Sequence, residues 1–218
     1  MESGNSPRVQ SSQRGPHGSL PAVVEAQRRV AWQAPVPSHT ARAFAFAATL
    51  LEETPRAVVL DVGCGTGLST AWLARMHPDA QVFGLDRSSA RLGKVEGAVP
   101  ENAALLRCDA GHFIALAAAA RWPVTLLCFL YPNPYPKPAH LRRRWHAHPS
   151  FCAAMALNSR VMMRTNWGVY AEEFMWTLEA YGRSPDRRSV SGAPPVTAFE
   201  RKYLASGHAC EEVSCAAL

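Results

Sequence analysis

Long apolar runs are missing from this chain of 218 residues. No stretch approaches the ~20 consecutive apolar residues that a membrane-spanning helix needs. The first residues also lack the charged start and the following apolar segment of a secretory signal. We therefore expect a cytoplasmic protein without a membrane span.

Paired cysteine motifs are missing as well. The chain has six cysteines, and none of them stand in the C-x-x-C spacing typical of zinc sites. Disulfide scaffolds are typical of shorter secreted chains. The sequence therefore predicts neither a metal site nor structural disulfides, as in a reducing compartment.

Apolar residues are scarce in the first twenty positions, which are rich in Ser, Gly, Gln, Pro and Arg. A segment with so little to bury is expected to be a disordered tail, here residues 1–20. Residues 21–218 suffice for a single domain with a sizeable core. The net charge of +6 is compatible with a polyanionic partner, although many enzymes are equally basic.

What the sequence does contain is a regular alternation of apolar strand patterns with helix patterns. Strands are predicted at 57–62, 81–85, 104–108, 124–130 and 159–164, with a final one near 209–215. This order is typical of an α/β protein with a doubly wound, mostly parallel, Rossmann-like sheet and helices on both faces. Ligands of such sheets bind at the carboxyl ends of the strands.

Three glycines at alternate positions, Gly63, Gly65 and Gly67, follow the first predicted strand. Glycines let the backbone turn sharply and approach a ligand closely. A dinucleotide site needs the spacing G-x-G-x-x-G, and the preceding Asp61 would repel a pyrophosphate. Asp61 suits the ammonium group of S-adenosylmethionine instead, and Asp86, at the end of the second strand, is placed to bind its ribose. A glycine turn in some other α/β domain is the alternative.

Asp109 follows the third predicted strand in the same way. The carboxyl ends of the first three strands are neighbours in a doubly wound sheet, so we expect Asp109 close to Asp61 and Asp86. It is expected near the adenine of the cofactor. Capping the alanine-rich helix that follows is an equally good interpretation, and one residue can do both.

A stiff, basic loop follows the fourth predicted strand. Residues 131–138 contain four prolines, which prevent the loop from collapsing into a helix. The cations Lys137, Arg142, Arg143 and Arg144 come next, with Trp145 beside them. A basic cluster with an aromatic residue suits RNA phosphates and bases, whereas a solvated helix face is the alternative.

Taken together, these segments resemble the bacterial tRNA (guanine-N7) methyltransferase family over about residues 58–213. The specific parts are Pro132-Asn-Pro-Tyr-Pro-Lys137, Thr165-Asn-x-x-x-Tyr170-Ala-Glu and Thr197-Ala-Phe-Glu200-Arg-Lys. The resemblance implies a class I S-adenosylmethionine-dependent methyltransferase that acts in tRNA processing, as a monomer or homodimer. It implies cofactor contacts at Asp61, Gly63, Gly65, Gly67, Asp86 and Asp109.

The acceptor side is predicted from the same resemblance together with the basic cluster. Asn133 and Tyr135 are expected to orient the acceptor base as the catalytic pair. The expected substrate-binding residues are Lys137, Arg142, Arg143, Arg144, Asn166, Thr197, Phe199 and Glu200. For Glu200, a charge at the start of a helix is the alternative interpretation.

Two motifs depart from the family pattern. The family loop usually reads Pro-Asp-Pro-Trp where this chain has Pro132-Asn133-Pro134-Tyr135, and the family's Thr-Asp is here Thr165-Asn166. Guanine N7 has a free lone pair and no proton, so its methylation needs alignment more than a base. The methylated base is cationic, however, and an amide stabilises that charge less than a carboxylate does.

These departures leave three hypotheses open. The first is transfer of a methyl group to guanine N7 of tRNA. The second is N-methylation of a small heteroaromatic metabolite on the same scaffold, favoured by the two amides. The third is a non-catalytic module that binds RNA or the cofactor, against which the intact glycine loop and acids argue.

Overall fold

The computed structural model describes residues 5–30, 32–95, 97–192 and 194–218. Its seven strands are β1 (Ala57–Val62), β2 (Ala80–Asp86), β3 (Ala103–Arg107), β4 (Val124–Leu130), β5 (Arg160–Thr165), β6 (Asp186–Ser189) and β7 (Glu211–Cys215). Its α-helices are α1 (Leu20–Arg29), α2 (Ser38–Glu53), α3 (Leu68–Met76), α4 (Ser89–Leu92), α5 (Ala110–Ala119), α6 (Phe151–Ala156), α7 (Gly168–Ala180) and α8 (Ala198–Ala205). Two 3₁₀ helices, Pro138–Arg143 and Trp145–Ala147, follow β4.

The strands form one sheet in the order β3-β2-β1-β4-β5-β7-β6. The first five run parallel, whereas β7 pairs antiparallel with both β5 and β6. The predicted doubly wound, mostly parallel sheet is thus confirmed. The central strands are buried along nearly their whole length, which explains their continuous apolar patterns.

Helices cover both faces of the sheet. Val58 and Leu60 of β1 pack on one face, in the cluster that also contains Phe113 of α5. Val59 packs on the opposite face with Leu73 of α3. This alternation follows from the two-residue period of a strand, and it produces two apolar layers around a single sheet.

Strand order reverses between β1 and β4, because the chain first builds outward through β2 and β3 and then returns to the other side of β1. At such a switch point the loops after adjacent strands separate and leave a crevice at the carboxyl ends. The crevice therefore lies between the glycine loop after β1 and the proline loop after β4.

The segment before α1 makes contacts with the rest of the chain. Residues 5–19 contain no helix or strand, yet Gln13 and the backbone of His17 hydrogen-bond to Glu173 of α7. Leu20, the last residue of the expected tail, is buried as the first residue of α1. The first four residues of the expected tail lie outside the described residues, and disorder of the segment stays a prediction.

In the part of the chain that the structure describes, no helix is both long and apolar enough to span a bilayer. The same residues contain no group of three or more His, Cys, Asp or Glu side chains arranged to hold a metal ion. Every cysteine is a free thiol.

Candidate active site

The loop after β1 depends on its three glycines. Gly63, Gly65 and Gly67 have φ values of 81°, 61° and 85°, a left-handed conformation that L side chains rarely adopt. At Gly67 an added Cβ would also lie 2.8 Å from Cδ1 of Leu105. The loop therefore turns directly from β1 into α3 and keeps its backbone free of side chains beside Asp86.

Asp86 ends β2 beneath this loop, with its side chain almost fully buried. Its Oδ2 accepts a hydrogen bond from the backbone N–H of Gly65 at 3.0 Å. Its Oδ1 accepts from the N–H of Ser88 at 2.8 Å and from Arg91 Nη2 at 3.0 Å. The carboxylate is thus fixed in position by two backbone donors and by Arg91, and it lines the crevice.

Asp61 sits deeper than predicted. It is 1% exposed, and its Oδ2 accepts hydrogen bonds from the hydroxyls of Ser69 and Thr70, both at 2.7 Å. Its Oδ1 has no partner among the described residues. Burial raises the pKa of Asp61 from 3.8 to about 6, against the opposing effect of the two hydroxyls. Asp61 does not line the crevice and instead joins β1 to the first turn of α3.

Asp109 caps the helix that follows it, which is one of the two interpretations that the sequence left open. Its Oδ1 accepts from the backbone N–H of His112 at 3.2 Å and so caps α5. The ring of His112 lies 3.0 Å from the same oxygen. Burial opposes ionisation, but the bonds from His112 outweigh it and lower the pKa of Asp109. The side chain also forms part of the crevice wall.

The crevice has a volume of about 580 Å³, within the range of small-ligand sites. It brings together eight of the predicted site residues: Gly63, Asp86, Asp109, Asn133, Tyr135, Arg142, Arg143 and Phe199. The first three come from the loops after β1, β2 and β3, and the others come from the proline loop, its 3₁₀ helix and α8. Residues distant in sequence thus face one cavity.

The proline loop holds its conformation through backbone bonds. Tyr131 and Tyr135 have positive φ values of 53° and 44°, which cost energy in residues other than glycine. Asn133 Oδ1 accepts from the N–H of Tyr135 at 3.1 Å and closes a tight turn. The guanidinium of Arg143 lies 5.9 Å from the centre of the Tyr135 ring. Asn133 and Tyr135 therefore face the crevice in a fixed arrangement.

Arg144 departs from its predicted role. Whereas Arg142 and Arg143 are exposed at the crevice, Arg144 is completely buried. Its Nη1 donates to Glu173 Oε2 at 2.6 Å, and its guanidinium lies 4.8 Å from the centre of the Trp167 ring. In this structure Arg144 forms an internal ion pair and does not line the crevice.

Glu200 and Thr197 are also turned inward. The Thr197 hydroxyl accepts from the N–H of Glu200 at 2.9 Å and caps α8. The Glu200 carboxylate is fully buried and accepts from Arg164 Nη1 at 3.0 and 3.2 Å. Neither side chain lines the crevice. Both therefore hold α8 in place, so that only Phe199, which lies between them, reaches the cavity.

Asn166 and Lys137 lie outside the crevice walls. Asn166 Nδ2 is 2.9 Å from Nδ1 of His208 and donates to it. Lys137 is exposed at the start of the first 3₁₀ helix. Of these two, only Lys137 is open to a large partner in the described conformation.

Comparisons with known proteins agree with this geometry. Residues 55–213 match the family model described as "Putative methyltransferase". A tRNA (guanine-N(7)-)-methyltransferase of Leifsonia xyli subsp. xyli is 30% identical over 71% of this chain and 72% of that protein. The chain belongs to the tRNA (guanine-N7) methyltransferase family. It is a methyltransferase, and this favours the first hypothesis over a non-catalytic module.

The chain covers a smaller share of another relative's length. The enzyme of the same name from Streptomyces coelicolor is 31% identical over 72% of this chain, which spans 63% of that protein. Among solved structures, the antibiotic-resistance methyltransferase Kmr superposes with a TM-score of 0.54 at 20% identity, over 87% of this chain and 94% of that one. At that identity the likeness concerns the fold alone.

The crevice walls also include side chains outside the predicted site residues, among them Arg87, Arg91, Trp145 and His148. Arg91 had a local signal, because it lies in the first turns after Asp86 and pairs with it. Trp145 stands beside the basic cluster in the sequence, but neither it nor His148 was predicted to line the crevice, where the path of the chain through the 3₁₀ helices brings both.

Proposed function

We propose that this methyltransferase transfers the methyl group of S-adenosylmethionine to N7 of a guanine in tRNA. One observation carries the proposal. The crevice joins a cofactor-type half, with Gly63, Asp86 and Asp109, to an acceptor half with Asn133 and Tyr135. The names of the curated relatives support the choice of acceptor.

The residues present fit the cofactor. Asp86 Oδ2 receives one protein hydrogen bond, from Gly65, and so keeps a lone pair for a ribose hydroxyl. Asp109 forms the wall on the side of β3, where an adenine would lie. Gly63 presents bare backbone to the cavity. Asp61 contributes from below, by fixing α3 and the glycine loop, rather than by touching the cofactor.

The bound cofactor supplies an electrophilic methyl group on a sulfonium. Guanine N7 needs no deprotonation, so the work of the chain is alignment of the lone pair with that methyl group. Asn133 and Tyr135 lie on the wall opposite Asp86, and their backbone is fixed by the turn at Asn133. The Asn133 amide carries a carbonyl oxygen that can face the charge developing on the base.

Binding of tRNA is assigned to the exposed cations beside the crevice. Arg142 and Arg143 line its mouth, and Lys137 directly precedes the 3₁₀ helix that contains both. Phe199 is 49% exposed at the opposite side, with its ring stacked on Tyr203 at 6.1 Å between centroids. Cations for phosphates and an aromatic face for a base are the two elements of RNA binding. We further propose action in the cytoplasm, as a monomer or homodimer with one domain over residues 21–218.

A second candidate acceptor is a small heteroaromatic compound. The observation in its favour is Asn133, an exposed amide at the position where the family usually has a carboxylate. An amide both donates and accepts hydrogen bonds and can therefore read a different heteroaromatic edge.

Methyl transfer from labelled cofactor separates the two candidates. The purified protein is offered unmodified tRNA, a panel of small heteroaromatic compounds, and both together. We expect label in the tRNA, and we expect added salt to lower the amount of that label. Label in a small compound, unaffected by RNA, together with an unlabelled tRNA fraction, would contradict the proposal.

A further inference from the structure

A buried carboxylate links three separate parts of the chain. Glu173 of α7 is fully buried. Its Oε2 accepts from Arg144 Nη1 at 2.6 Å and from His146 Nε2 at 2.9 Å. Its Oε1 accepts from Gln13 Nε2 at 2.6 Å and from the N–H of His17 at 2.8 Å. Four donors thus converge on one carboxylate, and two of them come from the segment before α1.

Charge and hydrogen bonding agree that this carboxylate is ionised. Burial opposes its ionisation, but the hydrogen bonds from His146 and Arg144 and the charge of Arg144 prevail and lower the pKa of Glu173. Burial lowers the pKa of His146, so its imidazole is neutral and donates from Nε2. An ion pair that is this deeply buried is costly unless its groups are fully hydrogen-bonded, and Gln13 and His17 complete the bonding.

The same guanidinium reaches the acceptor loop. Arg144 Nη2 and Nε donate to the carbonyl oxygen of Tyr135 at 3.1 and 3.3 Å, and Nη2 also donates to Gln13 Oε1 at 2.9 Å. Tyr135 has a φ of +44°, a strained conformation that persists only where the surroundings enforce it. Asn133 holds the N–H of Tyr135 and Arg144 holds its carbonyl. The position of the Tyr135 ring in the crevice therefore depends on where Arg144 points.

We propose that Arg144 and Gln13 are positioning residues that set the acceptor loop for methyl transfer, with the segment 11–17 serving as a strap over the Arg144–Glu173 pair. Gln13 is the link, because its amide donates to Glu173 and accepts from Arg144. A second bond supports the strap, since the hydroxyl of Ser11 donates to the carbonyl of Pro136, next to Tyr135. The inference deepens the proposed function and rests on it for the acceptor.

Gln13→Ala tests this without disturbing the core, because Gln13 is only partly buried and the Arg144–Glu173 pair remains. Gln10→Ala is the matched control, an exposed glutamine of the same segment that makes no hydrogen bond among the described residues. We expect Gln13→Ala to lower kcat on tRNA on the order of tenfold, because small misplacements of reacting groups are costly. KM for tRNA and calorimetric cofactor affinity stay within about twofold of wild type, since no group of either site is removed.

Gln13→Glu sharpens the comparison. It retains the acceptor for Arg144 but places a second carboxylate against Glu173, so kcat should fall further than in Gln13→Ala. Amide hydrogen exchange at Tyr135 gives a readout independent of activity, and it should become faster in both variants and remain unchanged in Gln10→Ala.

Two results would overturn the inference: equal kcat and equal Tyr135 exchange in Gln13→Ala and wild type, or a loss in Gln10→Ala as large as in Gln13→Ala. The exchange measurement stands even if the wild type fails to methylate tRNA. Faster exchange at Tyr135 in that case supports the strap while the proposed acceptor fails.

Discussion

The two halves of the crevice are built in different ways. On the cofactor half, Gly63, Asp86 and Asp109 each follow directly from the strand before them, and the fold alone places them at one sheet edge. On the acceptor half, the predicted residues divide. Some face the cavity, as Asn133 does, whereas others, such as Glu200, are buried in ion pairs. Local sequence signals place Gly63, Asp86 and Asp109 at the crevice, although they do not give the depth of Asp61. On the acceptor half they do not separate the residues that face the cavity from those that are buried.

The two halves differ because different factors decide which of their side chains are buried. A carboxylate directly after a parallel strand is placed by that strand at the carboxyl edge of the sheet. An arginine in a loop of several cations has no such constraint. Arg143 and Arg144 are adjacent in sequence, yet one is exposed and the other meets Glu173, which lies on a helix 29 residues further along the chain. Long-range pairing of this kind cannot be read from composition.

The largest effect is expected on the cofactor half, from Asp86→Ala. It removes a fixed carboxylate acceptor, and hydrogen bonds to charged groups contribute about 1.5–3 kcal/mol each. We expect cofactor affinity to fall roughly 10²-fold or more, measured by calorimetry. Asp79→Ala, an exposed acid just before the start of β2, is the control and should bind normally. Equal affinity in both variants would remove Asp86 from the cofactor site.

Asp61→Asn tests whether the Asp61 carboxylate is buried beneath the glycine loop rather than exposed in the crevice. In the apo protein the pKa of Asp61 is raised from 3.8 to about 6, so the unfolded chain loses this proton at a lower pH than the folded protein does. Asp61 therefore makes stability fall as pH rises between these values, by on the order of 3 kcal/mol.

The asparagine variant lacks this titration. Its free energy of unfolding in urea, relative to wild type, should rise across that pH window. Asp79→Asn, at an exposed position, should show no such relative rise. A constant difference between Asp61→Asn and wild type over the window would mean that Asp61 is not buried as described.

On the acceptor half, Arg142→Ala combined with Arg143→Ala should weaken tRNA binding about equally for all tRNA sequences. Two lost phosphate contacts lower the slope of log affinity against log salt by about 2. The matched control combines Arg56→Ala with Arg75→Ala, two exposed arginines near the amino ends of the strands. A control with the same loss of slope would show that binding follows net charge rather than the crevice.

The smallest effect is expected from Asn133→Asp, which makes the acceptor half more like the family pattern. The carboxylate keeps the acceptor for the Tyr135 N–H and adds a charge that stabilises the cationic base. We expect kcat on tRNA to rise on the order of tenfold, less than in a closed site because Asn133 is exposed. Asn133→Ala should lower kcat, since it opens the turn. A rise in activity on small heteroaromatic compounds instead would favour the second acceptor.

The features that the sequence predicts divide in the same way as the cofactor half and the acceptor half of the crevice. The sheet, the glycine turn and the places of Asp86 and Asp109 at the strand ends were predicted, because they rest on patterns of a few consecutive residues, whereas the depth of Asp61 was not. The buried ion pairs of Arg144 and Glu200 were not, because their partners, Glu173 and Arg164, lie on other elements. The sequence shows Trp145 beside the basic cluster but does not place Trp145 or His148 at the crevice, because long-range contacts, such as the bond from the Trp145 N–H to the Tyr170 hydroxyl, hold the backbone there.

Mass analysis of the nucleosides tests the central claim most directly. Unmodified tRNA is incubated with the folded protein and methyl-labelled S-adenosylmethionine, digested, and its nucleosides are separated. The account predicts labelled N7-methylguanosine, which disappears with Asp86→Ala and persists with Asp79→Ala. Label on another atom or base, or no label from a protein that binds the cofactor in calorimetry, would contradict it.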